Sequence, residues 1–312
     1  MATWDPDILA SFHRNEIRTL IQQKKYTIHL KGFLVPQTKA SRIYAEYTQS
    51  SCQSVGIHFD LVQTTPDKIS DLIQASNLDP TVHGLFVYYP IFNNEQDHHV
   101  KDLIHPHKDV EGLTTYWMEK LYKNERFDDA LQQHKCILPC TPLAILKLLE
   151  RTSLRSEFGL PFSEQHITIF NRSTVVGKPL AFMLSNDGAY VYSFDLNSLL
   201  VLGPQNQILY DSTQPHFEKS PYSISRAEAL QRASAVITGV PNTFKKIQAS
   251  EIRPEAVCLN FSDHQNFEDL AKEKATIYIP RVGPMTIAMC LRNAVRLFEN
   301  YHLSSNVSHD SR

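Results

Sequence analysis

The sequence predicts an α/β protein with two layered domains. Three observations carry that prediction. Apolar, β-like runs alternate with helix-like segments along the chain, which is the pattern of βαβ units and mostly parallel sheets. The stretch Gln165–Asp195 reads strand, turn, helix, strand within about 30 residues, the size of one half of a doubly wound sheet. A chain of 312 residues is long enough for two cores.

In order, residues 8–23 have helical periodicity. Thr27–Val35 reads as a buried strand ending at Pro36. Residues 40–55 read as a helix stopped by Gly56. Ile57–Val62 alternates as a strand does, and residues 66–76 read as a helix. Val82–Tyr89 is an apolar strand ending at Pro90, and Lys108–Gly112 falls in a loop. Thr141 is placed to cap, and Pro142 to open, a long helix over 143–154. The polar stretch 156–164 marks a domain boundary.

The second domain repeats the alternation. Gln165–Phe170 and Ala189–Phe194 are β-like and flank the helix-like run Pro179–Ser185. Residues 198–223 lack periodicity and are expected as a surface loop. Ala233–Gly239 and Glu255–Phe261 read as further strands. A helix over 285–301 precedes a polar tail expected to fray.

Composition excludes several classes. A formal net charge of −2 gives no basic surface to attract nucleic acid or an anionic membrane. The N-terminus lacks a signal-peptide pattern, and no apolar run reaches the roughly 18 residues of a membrane span, so a cytoplasmic protein is expected. The 5 cysteines are scattered and odd in number, as in a reducing compartment. Cys136 and Cys140 lack zinc-site spacing, and His98, His99, His105 and His107 read as solvated loop residues, so no metal is expected.

Within the Gln165–Asp195 unit, the turn Asn171-Arg-Ser-Thr-Val-Val-Gly177 offers backbone N–H groups and the Ser173 hydroxyl at a helix N-terminus. A pyrophosphate is favoured there. Pro179 suits the first turn of that helix. Asp195 ends the second strand 24 residues after Asn171, close to the spacing of a carboxylate that binds a ribose 2′-OH. The glycine-rich fingerprint is absent, since Asn171 and Ser173 stand where glycines would. Taken alone, the pattern fits an ordinary strand-to-helix turn equally well.

Six motifs then occur in fixed order along the chain. They are Ser41 with Tyr44, Lys108-Asp109-Val-Glu111-Gly112, Pro139-Cys140-Thr-Pro142, Asn171-Arg-Ser-x-x-Val176-Gly177-x-Pro179, Thr238-Gly239-Val240-Pro241, and Val282-Gly-Pro284-Met-Thr286-x-Ala-Met289. In this order they resemble the methylenetetrahydrofolate dehydrogenase/cyclohydrolase family along nearly the whole chain, and in detail its fungal monofunctional, NAD-dependent branch. The resemblance implies two α/β domains flanking a cleft. Folate would lie on the first, residues 1–155 completed by a returning C-terminal helix, 285–302. NAD would lie on the second, 156–284, a Rossmann-like doubly wound parallel sheet. It implies a homodimer in one-carbon metabolism serving purine biosynthesis. The implied reaction is oxidation of 5,10-methylenetetrahydrofolate to the 5,10-methenyl form by hydride transfer. A catalytically silent NAD- or folate-binding regulator on the same fold is the alternative. The retained Tyr44, Glu111, Cys140 and Thr286 favour the enzyme.

The departures from the wider family matter. Bifunctional members carry a lysine four residues after the motif tyrosine, where this chain has Thr48, and a Gln where it has Tyr88. Ring opening benefits from a positioned acid/base group, and a threonine hydroxyl is a poor substitute for a tunable ammonium. Hydride transfer needs mainly orientation of two rings. Oxidation without hydrolysis is therefore expected. Pro280–Pro284 also lacks the family's paired glycines.

Residue by residue, the resemblance assigns Tyr44, Tyr88, Asp109, Glu111, Pro284 and Thr286 to folate, with Tyr44, Glu111 and Cys140 nearest the chemistry. Glu111 stands where the family has an Asp, and a carboxylate can accept two pterin N–H bonds. Cys140 is expected either to have its pKa lowered by a positive helix end or to pack as a small hydrophobe. Asn171, Arg172, Ser173, Val176, Gly177, Asp195, Thr238, Gly239, Val240 and Asn260 are assigned to NAD. Arg172 and Ser173 would meet phosphate or ribose, and Thr238, Gly239 and Thr286 the nicotinamide side.

Overall fold

The computed structural model describes residues 2–36 and 39–303; the tail from 304, expected to fray, lies outside them. In chain order the helices are α1 (Pro6–Lys24), α2 (Lys39–Ser54), α3 (Ile69–Leu78), α4 (Gln96–Leu103), α5 (Thr115–Tyr122), α6 (Cys140–Leu149), α7 (Gly177–Asn186), α8 (Arg226–Arg232), α9 (Asp269–Lys274) and α10 (Gly283–Leu297). The strands are β1 (Ala2–Thr3), β2 (His29–Leu34), β3 (His58–Gln63), β4 (Gly84–Val87), β5 (His166–Phe170), β6 (Tyr190–Phe194), β7 (Leu199–Gly203), β8 (Gln207–Asp211), β9 (Ala235–Thr238), β10 (Val257–Asn260) and β11 (Ile277–Ile279). The fold is α/β, and contacts divide the chain into two units.

One unit comprises Ala10–Cys140 with Thr286–Arg312. Its sheet is parallel, in the order β3-β2-β4, with His29 opposite His58 and Leu30 opposite Gly84. Phe33, Leu85 and Val87 from the sheet pack with Ile69 and Ile73 of α3 and Val100 of α4 in one buried cluster. Gly56 ends α2 as expected, at φ +87° where a Cβ would be strained. From Thr286 onward α10 belongs to this unit and is buried almost all round before it relaxes into a π-helical turn, Phe298–His302.

The other unit comprises Met1–Leu9 with Thr141–Met285. Its eight strands run β1-β11-β10-β9-β5-β6-β7-β8, parallel from β1 to β6 and antiparallel at β7 and β8. After β5 the chain adds β6 on one side and later β9 on the other. The loops after β5 and β9 thus meet at a switch point, where doubly wound sheets bind ligands.

Two expectations change here. Residues 198–223 contain β7, buried at every position, and its hairpin partner β8. A short apolar run, Leu199-Leu-Val-Leu202, has no periodicity to betray it, and left-handed Gln205 and Asn206 turn the chain. Helix α6 starts at Cys140 and stops at Leu149, so Thr141 and Pro142 both lie inside its first turn. Contacts divide the chain between Cys140 and Thr141.

Candidate active site

In the first unit the site grows from the loop after the short 3-10 turn Pro106–Lys108. Lys108 is buried, and its Nζ donates to the carbonyl oxygens of Ser76, Asn77 and Asp79 at 2.9, 2.9 and 2.7 Å. Those are carbonyls left over at the end of α3, so the lysine closes that helix. Asp109 is buried too. Its Oδ1 accepts from the Glu111 and Gly112 N–H groups at 3.1 and 2.9 Å, and its Oδ2 from Thr114 N–H at 2.8 Å. The carboxylate expected to bind substrate is therefore engaged in shaping its own loop, an Asx-type turn. Gly112, at φ +70°, has no room for a Cβ against Leu138 and Pro139.

That loop leaves Glu111 aimed elsewhere. Its Oε2 accepts from Val87 N–H at 3.1 Å, at the end of β4. Burial first, and then nearby Asp109, push its carboxyl up to about 8. The residue as a whole nonetheless keeps some accessible surface. The two tyrosine hydroxyls that follow β4, Tyr88 and Tyr89, are buried without a hydrogen-bond partner. Burial raises both phenols, and Glu111 contributes to each. Orphaned buried hydroxyls beside a perturbed acid mark a site built for polar ligand atoms.

Tyr44 on α2 lies edge-on to Tyr88, with ring centroids 6.1 Å apart. Thr48, one turn on, is buried, and its hydroxyl donates to the Tyr44 carbonyl at 2.9 Å. The Tyr88 hydroxyl meets no partner in full hydrogen-bond geometry, and Thr48 lies near enough only to temper the rise that burial gives its pKa. Cys140 Sγ donates to Val110 O at 3.2 Å and receives Asn293 Nδ2 at 3.4 Å. Its thiol pKa is raised by burial, outweighing its position at the start of α6. Burial thus favours the packing alternative for Cys140 over a lowered pKa. Thr286 is buried in α10, and Pro284 stands in that helix's first turn.

In the second unit the switch point gathers the nucleotide candidates. Asn171 Nδ2 donates to the Gly239 carbonyl at 2.8 Å, tying the two loops together. Asn171 Oδ1 accepts from Ser173 N–H and Oγ–H at 2.9 and 2.8 Å. Ser173 Oγ in turn accepts from Val176 N–H at 3.2 Å, which leads the chain into α7. A Cβ at Gly177 would collide with the Asn171 carbonyl, and one at Gly239 with the Phe261 ring. Both glycines therefore keep the turns compact. Asn260, at the end of β10, donates to Ser262 O and His264 O at 2.9 and 3.0 Å, while its Oδ1 is buried with no partner. An orphaned acceptor at a strand's carboxyl end, beside compact glycine turns, fits a dinucleotide. Thr238 is fully buried, and its hydroxyl donates to Asn266 Oδ1 at 3.3 Å, so that side chain supports the turn. Asp195 is exposed just beyond β6.

Sequence reading missed Asn266, Asn293 and Ser198. Asn266 Oδ1 accepts from Val240 N–H at 3.1 Å, and Asn266 Nδ2 donates to Val240 O at 3.0 Å, pinning the β9 loop. It missed as well the cross-strand trio His29, His58 and Asp60, whose ligand atoms lie within 4.8 Å of one another. Asp60 is bonded to His29 at 2.8 Å, and Lys31 stands opposite Asp60 in register, which disfavours a cation. His98 and His99 are solvated, though on α4 instead of a loop.

Residues 5–111 match the family described as tetrahydrofolate dehydrogenase/cyclohydrolase, catalytic domain, and residues 139–203 match its NAD(P)-binding domain. A curated Saccharomyces cerevisiae protein named methylenetetrahydrofolate dehydrogenase (NAD+) is 39% identical over 284 residues, covering 88% of this chain and 87% of the relative. A protein of the same name from Dictyostelium discoideum is 35% identical over 298 residues, covering 94% and 92%. The solved structure of the NAD-dependent 5,10-methylenetetrahydrofolate dehydrogenase of Saccharomyces cerevisiae superposes with a TM-score of 0.86 at 35% identity, covering 97% of this chain and 98% of that one.

Proposed function

The chain belongs to the tetrahydrofolate dehydrogenase/cyclohydrolase family, and we propose that it is a monofunctional member: an NAD-dependent methylenetetrahydrofolate dehydrogenase without cyclohydrolase activity. NAD, when bound, supplies the hydride acceptor. The chain's own residues bind and orient. The Glu111 carboxyl accepts pterin N–H groups, while Tyr44 and the unpaired hydroxyls of Tyr88 and Tyr89 offer ring edges and polar contacts. On the nucleotide unit, Ser173, Gly177, Gly239 and Asn260 hold the cofactor, and Asp195 meets its ribose.

The observation that carries the monofunctional reading is Thr48. It stands where bifunctional relatives are expected to have lysine, and its hydroxyl is engaged on a backbone carbonyl. No side chain at that helix position can then exchange a proton with water attacking a methenyl carbon. The test is an absorbance assay of purified protein. Methylenetetrahydrofolate should be oxidised with NAD, and methenyltetrahydrofolate should not be hydrolysed above background. Enzyme-dependent hydrolysis at a rate comparable to oxidation would overturn the reading.

We also propose a cytoplasmic homodimer whose product serves purine biosynthesis, a reading supported by the family resemblance. Light scattering of the purified protein at the mass of two chains is the expected result for its assembly.

A further inference from the structure

The nucleotide unit holds one arrangement that the proposed chemistry does not use. Arg172 is half-buried and donates Nε to Ser193 Oγ at 3.3 Å and Nη1 to Ser198 Oγ at 2.9 Å. Its Nη2 donates to the Ser193 carbonyl and, at 3.0 Å, to the Ser198 carbonyl. A guanidinium has only five N–H donors, and four hydrogen bonds leave at most one. The same Ser198 carbonyl accepts from Asp195 N–H at 2.9 Å, and Asp195 Oδ1 accepts from Leu196 N–H at 2.9 Å. Arg172 therefore ties the turn after β6, which presents Asp195, to the turn after β5.

We propose that this clamp is a second selector of NAD over NADP beside Asp195: Arg172 is a positioning residue that fixes the Asp195 turn and is itself withheld from a 2′-phosphate. The proposal rests on the dehydrogenase reading above and names the feature that sets its cofactor. A 2′-phosphate is best held by two parallel N–H groups of one arginine. Freeing a second donor means breaking one of the bonds to Ser193 or Ser198 that hold β6 and the turn carrying the carboxylate. The two effects act in the same direction on cofactor choice: the clamp keeps Asp195 facing the ribose and keeps the nearby cation occupied.

The experiment titrates the full chain calorimetrically at low salt with two probes, ADP-ribose and 2′-phospho-ADP-ribose. Ser198→Ala removes one acceptor and leaves the backbone carbonyl in place. It should weaken ADP-ribose binding and tighten 2′-phospho-ADP-ribose binding, moving their ratio by about tenfold. Ser198→Thr, which restores a hydroxyl, should keep the native ratio. In an Asp195→Ser background, Ser198→Ala should still raise affinity for the phosphorylated probe. A residue with a merely structural role would weaken both probes alike, so parallel losses, or an unchanged ratio, would overturn the clamp. So would a native chain that binds neither probe. Failure of the dehydrogenase reading looks different: native protein that binds ADP-ribose yet leaves methylenetetrahydrofolate unoxidised sinks that reading, and the probe ratio still decides the clamp.

Discussion

Replacing Glu111 with Gln should stabilise the protein in mildly alkaline solution while weakening its hold on folate. Burial raises the Glu111 carboxyl to about 8 from an ordinary 4.5. Between those values the folded chain keeps the proton and the unfolded chain releases it. The folded state binds more protons, so its stability falls as pH rises through that window. At about 1.4 kcal/mol per pKa unit, the shift corresponds to a ceiling of roughly 5 kcal/mol lost by pH 8. Water reaching this partly accessible residue lowers that figure. The glutamine amide has nearly the same shape, can accept the Val87 N–H as Oε2 does at 3.1 Å, and does not ionise. Glu111→Gln should therefore melt within about a degree of the native protein at pH 4.5 and up to roughly 5–10 °C higher at pH 8.5. At pH 8.5, where the native carboxyl is charged, folate affinity should fall by roughly 1.5–3 kcal/mol. NAD affinity should hardly change. Calorimetric melting across pH, with folate and NAD titrations at pH 8.5, reads all three. Parallel pH slopes for the two proteins would refute the buried-acid argument. A loss of NAD affinity with folate binding intact would show that the two ligands are assigned to the wrong units.

Other outcomes follow from the same geometry. Asp195→Ser should narrow the preference for NAD chiefly by improving NADP use, because a carboxylate about 4 Å from a phosphate charge costs about 4 kcal/mol at an effective dielectric near 20; unchanged relative kcat/KM for the two cofactors would count against it. Thr48→Lys alone should restore little hydrolysis of methenyltetrahydrofolate, since the Tyr88 ring stays packed edge-on to Tyr44 at 6.1 Å; a large gain would show that the lysine suffices. Gly177→Ala should weaken NAD binding at least about tenfold and spare folate binding, because the new Cβ meets the Asn171 backbone, which cannot swing aside as a side chain could; titration with each ligand separates the two effects.

Much of the fold was legible in the sequence. Strands β2, β3, β4, β5, β6, β9 and β10 announce themselves as apolar or alternating runs, and Gly56 and Pro36 punctuate them. What stayed hidden depends on partners far along the chain. Leu199–Gly203 forms a strand because β6 offers it an edge, which no local period reveals. Asp109 and Glu111 look interchangeable in sequence, two acids separated by a valine. Only the fold shows that one carboxylate is saturated by its own loop while the other receives a single backbone N–H and keeps the rest of its capacity. Arg172 was legible as a basic residue near the nucleotide, but its attachment to Ser198 spans 26 positions and a strand. Asn266 and Asn293 carry no motif at all, because an amide that pins two backbone segments can occur anywhere the fold brings them together.

Asn293 also sets an order of events during synthesis. Its amide binds Val110 O, Leu138 O and the Cys140 thiol, which lie 183, 155 and 153 positions earlier. At about 5–20 residues per second on the ribosome, the 153 residues from Cys140 to Asn293 take roughly 8–30 s to emerge. Throughout that interval the nascent chain already contains Tyr44, Tyr88, Glu111 and Cys140, yet lacks the helix that clasps their loops. A chain released early would carry nearly every motif of the folate site and none of its closure. It would expose the apolar surface that α10 covers, which makes it a natural client for chaperones and proteases.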